Sequence, residues 1–266
     1  MTVVFLHVPK TAGTSLAGML AANFAPERVC RAEPHGELKG RTAHELGEFD
    51  FIYGHFDWSD LEAIPGPKQI VSVLRDPIQR SLSLYWYWRA HTWAYGVEEL
   101  GSRGVQYAKS LSPEDFFTTA PPDVRGNFEN TVARQLAGAG YWKLDTGFTI
   151  PDREVVDICR RHINQMSFCG VTEHFDATTA AILRRLQLPA TASRRENTLM
   201  QQVQIPGFET VTPTPPSAEL TASLLRLTAI DSDLYHYVRR RWPMRRAVLS
   251  HAIRSLGRGV RHAPEA

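Results

Sequence analysis

Seven residues near the start of the chain combine a lysine, a glycine and three hydroxyl groups: Pro9-Lys10-Thr11-Ala12-Gly13-Thr14-Ser15. The apolar run 3–8 precedes this loop, and apolar residues at helical spacing follow it. A glycine-containing loop between a strand and a helix binds anions, because unpaired backbone N–H groups point outward at the positive end of the helix dipole. Lys10 adds a mobile charge, and Thr11, Thr14 and Ser15 add hydroxyl donors. The loop therefore predicts an anion site, and a simple glycine turn with solvated hydroxyls is the structural alternative.

The position of the lysine limits the kind of anion. In the loop of ATP- and GTP-binding proteins, the lysine follows the second glycine. Here Lys10 precedes the loop's only glycine, Gly13, and the loop is shorter. No acidic cluster resembling a magnesium site accompanies it. The spacing thus favours a phosphate-sized anion over a triphosphate with magnesium.

Two more residues with chemically active side chains come immediately after predicted strands. His55 follows the segment 49–54, and Arg75 follows the clearer strand 69–74. Arginine offers a forked donor suited to a phosphate monoester, although an ion pair with Asp76 or another acid is the alternative. Histidine titrates near neutral pH and can accept a proton from a reacting hydroxyl. A structural hydrogen bond is the alternative role for His55, and His7, His35 and His174 are rival bases.

The elements that must position these residues alternate between strands and helices. Strands are predicted at 3–8, 49–54, 69–74 and 168–171. Helices are predicted after the loop, from Pro77 with Asp76 as N-cap, at 128–138 ending with Gly138, and at 152–163, 177–188 and 229–242. This order predicts an α/β fold with a P-loop-like parallel sheet flanked by helices on both faces. Because ligands bind at the carboxyl ends of such strands, the loop, His55 and Arg75 should meet at one edge.

The remaining segments set the domain organisation. We expect one domain over residues 1–242, with residues 94–126 mostly a loop containing one short helix and serving as a possible acceptor lid. Residues 189–216 are expected to be irregular. A basic C-terminal tail helix is expected over 243–266, since eight arginines and one glutamate fall in residues 239–266. The tail could lie on a membrane surface or dock on the body, and nucleic acid is not expected because no binding motif appears.

Composition bears on the compartment. Three cysteines cannot all pair, which favours a reducing environment. No signal peptide and no run of eighteen apolar residues is apparent. We therefore expect a cytoplasmic protein.

Two motifs resemble a known family. "HVPKTAGTSL" resembles the 5′-phosphosulfate loop, and "VLRDPIQRSLSLYWYWR" the 3′-phosphate motif, of sulfotransferases that use 3′-phosphoadenosine-5′-phosphosulfate (PAPS). The likeness is to the carbohydrate branch with heparan sulfate and uronyl 2-O-sulfotransferases. Weaker likenesses, "YGHFDW", "FENTVARQL", "GVTEHFD" and "LYHYVRRRW", extend it over residues 3–242.

The resemblance implies a PAPS-dependent sulfotransferase acting on a hydroxyl acceptor, most simply a carbohydrate, with PAPS as co-substrate and no metal. Lys10 would stabilise the leaving oxygen, and His55, in the Gly-His motif, would be the base. The cofactor-binding residues implied by the resemblance are Lys10, Thr11, Ala12, Gly13, Thr14, Ser15, Arg75, Ser83, Arg195, Asn197 and Thr198.

Acceptor binding is open at this point. The aromatic run from Tyr85 to Tyr95 should be largely core, with the remainder available to stack on a sugar or on adenine. Four cations could attract an acidic glycan: Arg89, Arg103, Lys109 and Arg125. A P-loop nucleotide-dependent kinase and a non-catalytic anion- or membrane-binding module are the alternative functions.

Overall fold

The structure is a computed structural model that describes residues 1–32, 38, 40–143, 147–189 and 205–243. Its strands are β1 (Thr2–Leu6), β2 (Val29–Ala32), β3 (Phe51–Gly54), β4 (Lys68–Leu74), β5 (Trp142–Lys143), β6 (Gly147–Phe148) and β7 (Phe168–Val171). Five of them form one parallel sheet in the order β2-β3-β1-β4-β7. The short strands β5 and β6 pair with each other in antiparallel orientation.

Helices connect the strands. They are α1 (Gly13–Ala21), α2 (Ala43–Gly47), α3 (Pro77–Arg89), α4 (Arg103–Ser110), α5 (Pro113–Thr119), α6 (Pro122–Arg125), α7 (Thr131–Ala137), α8 (Asp152–Gln165), α9 (Phe175–Arg185), α10 (Ala218–Leu227) and α11 (Ala229–Arg241). A π-helical turn spans Ala94–Glu99, and 3₁₀ turns lie at Pro26–Arg28, Trp58–Ala63, Ala139–Tyr141 and Thr172–His174. The predicted α/β fold, a parallel sheet with helices on both faces, is confirmed.

Successive side chains of β1 point to opposite faces of the sheet. Val4 and Leu6 point into a core shared with residues of α7, α8 and α11. Val3 and Phe5 point to the opposite face, into a core shared with α1 and α9. Because successive side chains of a strand face opposite ways, an apolar run of this kind needs helices on both sides.

A third core supports the region after β4. It joins α3 to α4, α5 and α10 through Tyr85, Trp86, Phe116, Phe117 and Leu224. Its side chains are almost fully buried. This packing holds α3 firmly beside the carboxyl edge of the sheet, where Arg75 and Asp76 lie.

Several elements were not predicted. They are the strands β2, β5 and β6 and the helices α2 and α10. Residues 94–126 are not mostly loop, because the π-helical turn and α4, α5 and α6 fill most of this segment. Ser102 and Ser112 cap α4 and α5 by accepting from the N–H groups of Val105 and Asp115, and buried aromatics then stabilise helices too short to show a periodic pattern.

Some predictions lie outside the described residues. The basic tail from residue 244 onward, His35 and the loop with Arg195, Asn197 and Thr198 are among them. The boundary near residue 242 therefore stays a prediction. None of the helices in the described part of the chain is long and apolar enough to cross a membrane.

Candidate functional site

The loop after β1 has the backbone of an anion-binding loop. Lys10 and Ala12 both adopt left-handed conformations, with φ of 69° and 59°, which is uncommon for residues with a side chain and concentrates at functional sites. Ala12 offers no side-chain cap to α1, and the first turn of α1 contains no acidic residue. Neither the N-cap residue nor an acid in the first turn of α1 therefore competes with an anion for the amides that open this helix.

The hydroxyl groups of the loop differ in burial and in their hydrogen-bond partners. Thr11 is completely buried, and its Oγ1 donates to the carbonyl of Val8 at 2.8 Å. Thr172 braces the loop from β7, because its Oγ1 lies 3.0 Å from the carbonyls of both Thr11 and Leu74. Thr14 is exposed, whereas Ser15 is buried. The hydroxyl of Thr11 thus holds the loop in shape, and the contribution of Thr11 to a ligand is limited to its backbone.

Gly13 lets the loop approach β1 closely. A Cβ atom at this position would lie 1.9 Å from Cδ2 of His7 and 2.0 Å from its Nε2. The His7 ring is buried and packs between Phe5 and His55, with centroid distances of 5.3 and 4.3 Å. The absence of a side chain at Gly13 therefore lets the anion loop approach the same His7 ring that His55 contacts.

Lys10 lies over the ring of Tyr87 on α3. Its Nζ is 3.8 Å from the ring centroid, a cation–π distance. Burial, and then the positive charge of Arg75, lower the pKa of Lys10 from 10.5 to about 7. A buried cation beside a second cation is costly unless an anion joins them. Lys10 and Arg75 together therefore favour the binding of an anion.

Arg75 reaches the loop from the end of β4. Its Nη1 donates to the carbonyl of Lys10 at 3.3 Å. Asp76, the alternative partner, instead accepts from the N–H of Gln79 as the predicted cap of α3, and its own N–H donates to Glu173 at 2.8 Å. Burial lowers the pKa of Arg75, partly offset by Glu173 and Asp76. The guanidinium is thus directed to the loop.

Ser83 lies on the same helix, half-buried, eight residues after Arg75. Because residues four apart on a helix share a face, Ser83 and Tyr87 are neighbours on α3. Tyr87 was not singled out by sequence analysis, since an aromatic residue in an aromatic-rich helix is usually core. Its neighbours Tyr85 and Trp86 are indeed buried, as predicted for much of the run.

His55 is half-buried and directly follows β3, whose last residue, Gly54, packs closely against β2. A Cβ at Gly54 would lie 2.1 Å from the carbonyl oxygen of Ala32 on β2. The Nδ1 atom of His55 is 3.0 Å from the carbonyl oxygen of His7. Since a carbonyl only accepts, Nδ1 carries the proton of the neutral ring, and Nε2 carries the lone pair.

The four cations expected to attract an acidic glycan are engaged within the protein. Arg89 donates to the carbonyl of Ala108 at 2.7 Å, and Lys109 pairs with Glu209. Arg103 pairs with Asp123 at 2.7 Å, and Arg125 with Glu129 at 3.1 Å. Each of the four side chains thus has a partner within the protein, and their attraction for an acidic glycan stays a prediction.

One edge of the sheet thus holds a continuous set of contacts. Arg75 touches the backbone of Lys10, Gly13 adjoins His7, and His7 adjoins His55. The predicted convergence at the carboxyl ends of β1, β3 and β4 is present. Within the described ranges, no group of three or more His, Cys, Asp or Glu residues could hold a metal ion.

Comparisons with known proteins give distant relatives, and no family model matches the chain. The chain is 23% identical to heparan-sulfate 6-O-sulfotransferase 2 of Gallus gallus over 64% of its own length and 51% of the relative's. It is 24% identical to the Danio rerio protein of that name over 89% of its length and 57% of the relative's. The chain thus spans about half the length of these curated relatives.

These relatives confirm the resemblance to carbohydrate sulfotransferases drawn from the two motifs. Their names specify 6-O-sulfation, whereas the motifs were likened to the 2-O branch. A crystal structure of a mouse sulfotransferase complexed with PAP aligns with a TM-score of 0.41 and 12% identity, over 90% of this chain and 88% of that one.

Proposed function

We propose that the protein transfers a sulfuryl group from PAPS to a hydroxyl group of a carbohydrate acceptor. The observation that carries this proposal is the convergence of an uncapped anion loop, two clustered cations and His55 at one edge of the sheet. The similarity to heparan-sulfate 6-O-sulfotransferases supports the same chemistry. In this proposal PAPS is a co-substrate and no metal is required.

The residues present fit a nucleotide with two separate phosphate groups. The loop amides from Ala12 to Ser15, together with Thr14, would hold the 5′-phosphate. Arg75, between β4 and α3, and Ser83, half-buried on α3, would hold the 3′-phosphate. The fit is supported by the uncapped N-terminus of α1 and by the close approach at Gly13, which a side chain would prevent.

Lys10 would stabilise the charge that grows on the leaving oxygen. A lysine whose pKa is about 7 gains a proton readily when a dianion approaches, because the anion replaces the water that burial removed. Its contact with Tyr87 keeps the ammonium group beside the loop until then. Stabilisation directed at developing charge is the main source of catalysis in group transfer of this kind.

His55 would take the proton of the acceptor hydroxyl. Its Nδ1–H is committed to the His7 carbonyl, so the Nε2 lone pair is the basic site. PAPS supplies the sulfuryl group: the acceptor oxygen forms a bond to sulfur as the bond from sulfur to the 5′-phosphate oxygen breaks. The electron pair of that bond stays on the phosphate, beside Lys10, and the acceptor proton stays on His55.

Calorimetric binding of 3′,5′-adenosine bisphosphate tests the cofactor site. We expect the bisphosphate to bind the wild-type protein, ATP with magnesium to bind much more weakly, and Arg75→Ala to weaken the bisphosphate about tenfold to hundredfold, because a charge-assisted hydrogen bond contributes about 1.5–3 kcal/mol. Arg103→Ala is the matched control, since Arg103 is already paired at the surface with Asp123. A preference for ATP, or no binding of either nucleotide, would overturn the proposal.

Turnover with labelled PAPS tests the reaction and its acceptor. We expect label in neutral or acidic oligosaccharides, and labelling about 100-fold to 10,000-fold slower in His55→Ala, with bisphosphate binding intact. Labelled tyrosine peptides or lipids in place of saccharides would contradict the carbohydrate assignment while leaving the PAPS site in place.

A further inference from the structure

A single amide side chain connects the two backbone segments that flank His55. Gln135 lies on α7, and its Nε2 donates to the carbonyl oxygen of His7 at 3.1 Å and to that of Phe56 at 2.8 Å. His7 ends the segment of β1 against which His55 packs, and Phe56 is the residue directly after His55. The two hydrogens of one NH₂ group thus join β1 to the turn that follows β3.

The carbonyl of His7 is shared between Gln135 and His55. It accepts from Gln135 Nε2 at 3.1 Å and from His55 Nδ1 at 3.0 Å. A carbonyl oxygen has two lone pairs, so these two donors fill it. With both positions occupied, the His7 oxygen has a fixed direction, and the His55 ring that donates to it has a fixed tautomer and orientation.

The helix that carries Gln135 is itself held by buried contacts. Asp231 on α11 accepts from the backbone N–H groups of Val132 and Ala133, at 3.1 and 2.8 Å, in the first turn of α7. Arg80 on α3 donates to Thr131 Oγ1 at 3.0 Å. Both Asp231 and Arg80 are buried. Gln135 therefore extends from a rigid element.

We infer that Gln135 is a positioning residue that acts through His55, holding the His7 carbonyl so that the imidazole presents Nε2 to the acceptor. The catalytic part of this inference rests on the proposed function, whereas the control of the tautomer does not. Outer partners of this kind orient a functional histidine without touching the substrate. Gln135 was predicted only as part of a helix.

The experiment compares Gln135→Met, which keeps the length of the side chain and removes both donors, with Gln135→Glu, which keeps the shape. Gln106→Met on the exposed face of α4 is the matched control. Each is measured in the wild-type and His55→Ala backgrounds by turnover of labelled PAPS and by binding of adenosine bisphosphate. Nitrogen-correlated NMR of the His55 ring, assigned by its loss in His55→Ala, reports the tautomer.

We expect both Gln135 variants to lower kcat about tenfold to hundredfold, because small displacements of a catalytic group are that costly, with bisphosphate affinity unchanged. In the His55→Ala background the same substitutions should cost less than twofold. The NMR should show the Nδ1–H tautomer in the wild type and a mixture of tautomers in Gln135→Met.

Three results would overturn the inference. The first is an unchanged His55 tautomer in Gln135→Met, and the second is an unchanged kcat in the Gln135 variants. The third is an equal loss of kcat in the wild-type and His55→Ala backgrounds, and this last result would indicate a general structural role for Gln135. If the wild type shows no turnover of PAPS although Gln135→Met alters the tautomer, the proposed function fails and the positioning of His55 by Gln135 stands.

Discussion

Replacing Gly13 with alanine tests whether the anion loop depends on its close approach to His7. The new Cβ would overlap the His7 ring at 1.9 Å from Cδ2, far inside van der Waals contact. The ring cannot turn away freely, because it packs between Phe5 and His55. Gly13→Ala must therefore displace the ring, the loop or both.

The magnitude follows from comparing two glycines of the same helix. Gly18 lies on the exposed side of α1 with nothing within 4 Å of a new Cβ. Gly18→Ala should raise the free energy of unfolding by about 0.5–1 kcal/mol, the helix preference of alanine over glycine. Gly13→Ala should lower it by about 1–3 kcal/mol, the usual cost of overpacking a filled site. The two variants should thus differ by roughly 1.5–4 kcal/mol.

Denaturant unfolding and bisphosphate calorimetry measure the two consequences. We expect Gly13→Ala to bind adenosine bisphosphate more than tenfold more weakly than the wild type, and Gly18→Ala to bind it unchanged. If Gly13→Ala is as stable as Gly18→Ala and binds as well, the His7 ring yields without cost. Gly13 would then not be the residue that fixes the conformation of the loop.

Two further predictions concern the charges of the site. The pKa of Lys10 is lowered to about 7, so the protein should take up about one proton when it binds the bisphosphate at pH 8. Calorimetry in buffers of different ionisation enthalpy measures this uptake. Lys10→Met should abolish the uptake, and Lys143→Met, at an exposed position, should keep it. The unfolded chain keeps the Lys10 proton up to a pH near 10.5, whereas the folded chain keeps it only up to about pH 7. The free energy of unfolding should therefore rise as the pH increases from about 7 to about 10.5. Lys10→Met should therefore stabilise the ligand-free protein most at pH 6, and an equal gain at pH 10 would contradict the lowered pKa. Arg80→Met should cost about 3–5 kcal/mol in denaturant unfolding, because it removes one of the two buried arginine charges, Arg80 and Arg134, that stabilise the buried carboxylate of Asp231. Arg103→Met, at a surface pair, should cost less than about 1 kcal/mol. Equal costs would refute the role given to burial.

The sequence was enough to predict that the candidate site residues meet at one edge of the sheet, for a reason that is purely topological. The loop at Lys10, His55 and Arg75 each follow a strand, and parallel strands bring their carboxyl ends together. The three strands concerned are adjacent in the sheet, in the order β3-β1-β4. No knowledge of side-chain packing was needed to place these residues at one edge.

The partners of these residues could not be predicted, because they depend on the direction in which each helix face points. Tyr87 meets Lys10, and Gln135 meets the His7 carbonyl across a separation of 128 residues. Strand β2 was missed because it has only four residues and one of them, Arg31, is charged and exposed. Only one short helix was predicted in residues 94–126, because caps and aromatic packing, rather than a long periodic pattern, stabilise the helices between Arg103 and Arg125.

The segment from Arg75 to Arg80 contains two arginines whose environments give them different roles. Arg75 is half-buried and donates to the anion loop. Arg80, one turn further along α3, is completely buried, and it donates to the carbonyl of Asn127 at 3.1 Å and to Thr131 at the start of α7. Burial lowers the pKa of Arg80, and the carboxylate of Asp231 opposes that change. Gln135, proposed to orient His55, lies on α7, and Ser83, proposed to bind the 3′-phosphate, lies on α3. The buried guanidinium of Arg80 joins these two helices. A change at Arg80 should accordingly disturb bisphosphate affinity and the His55 tautomer together, whereas Arg75→Ala should alter affinity alone.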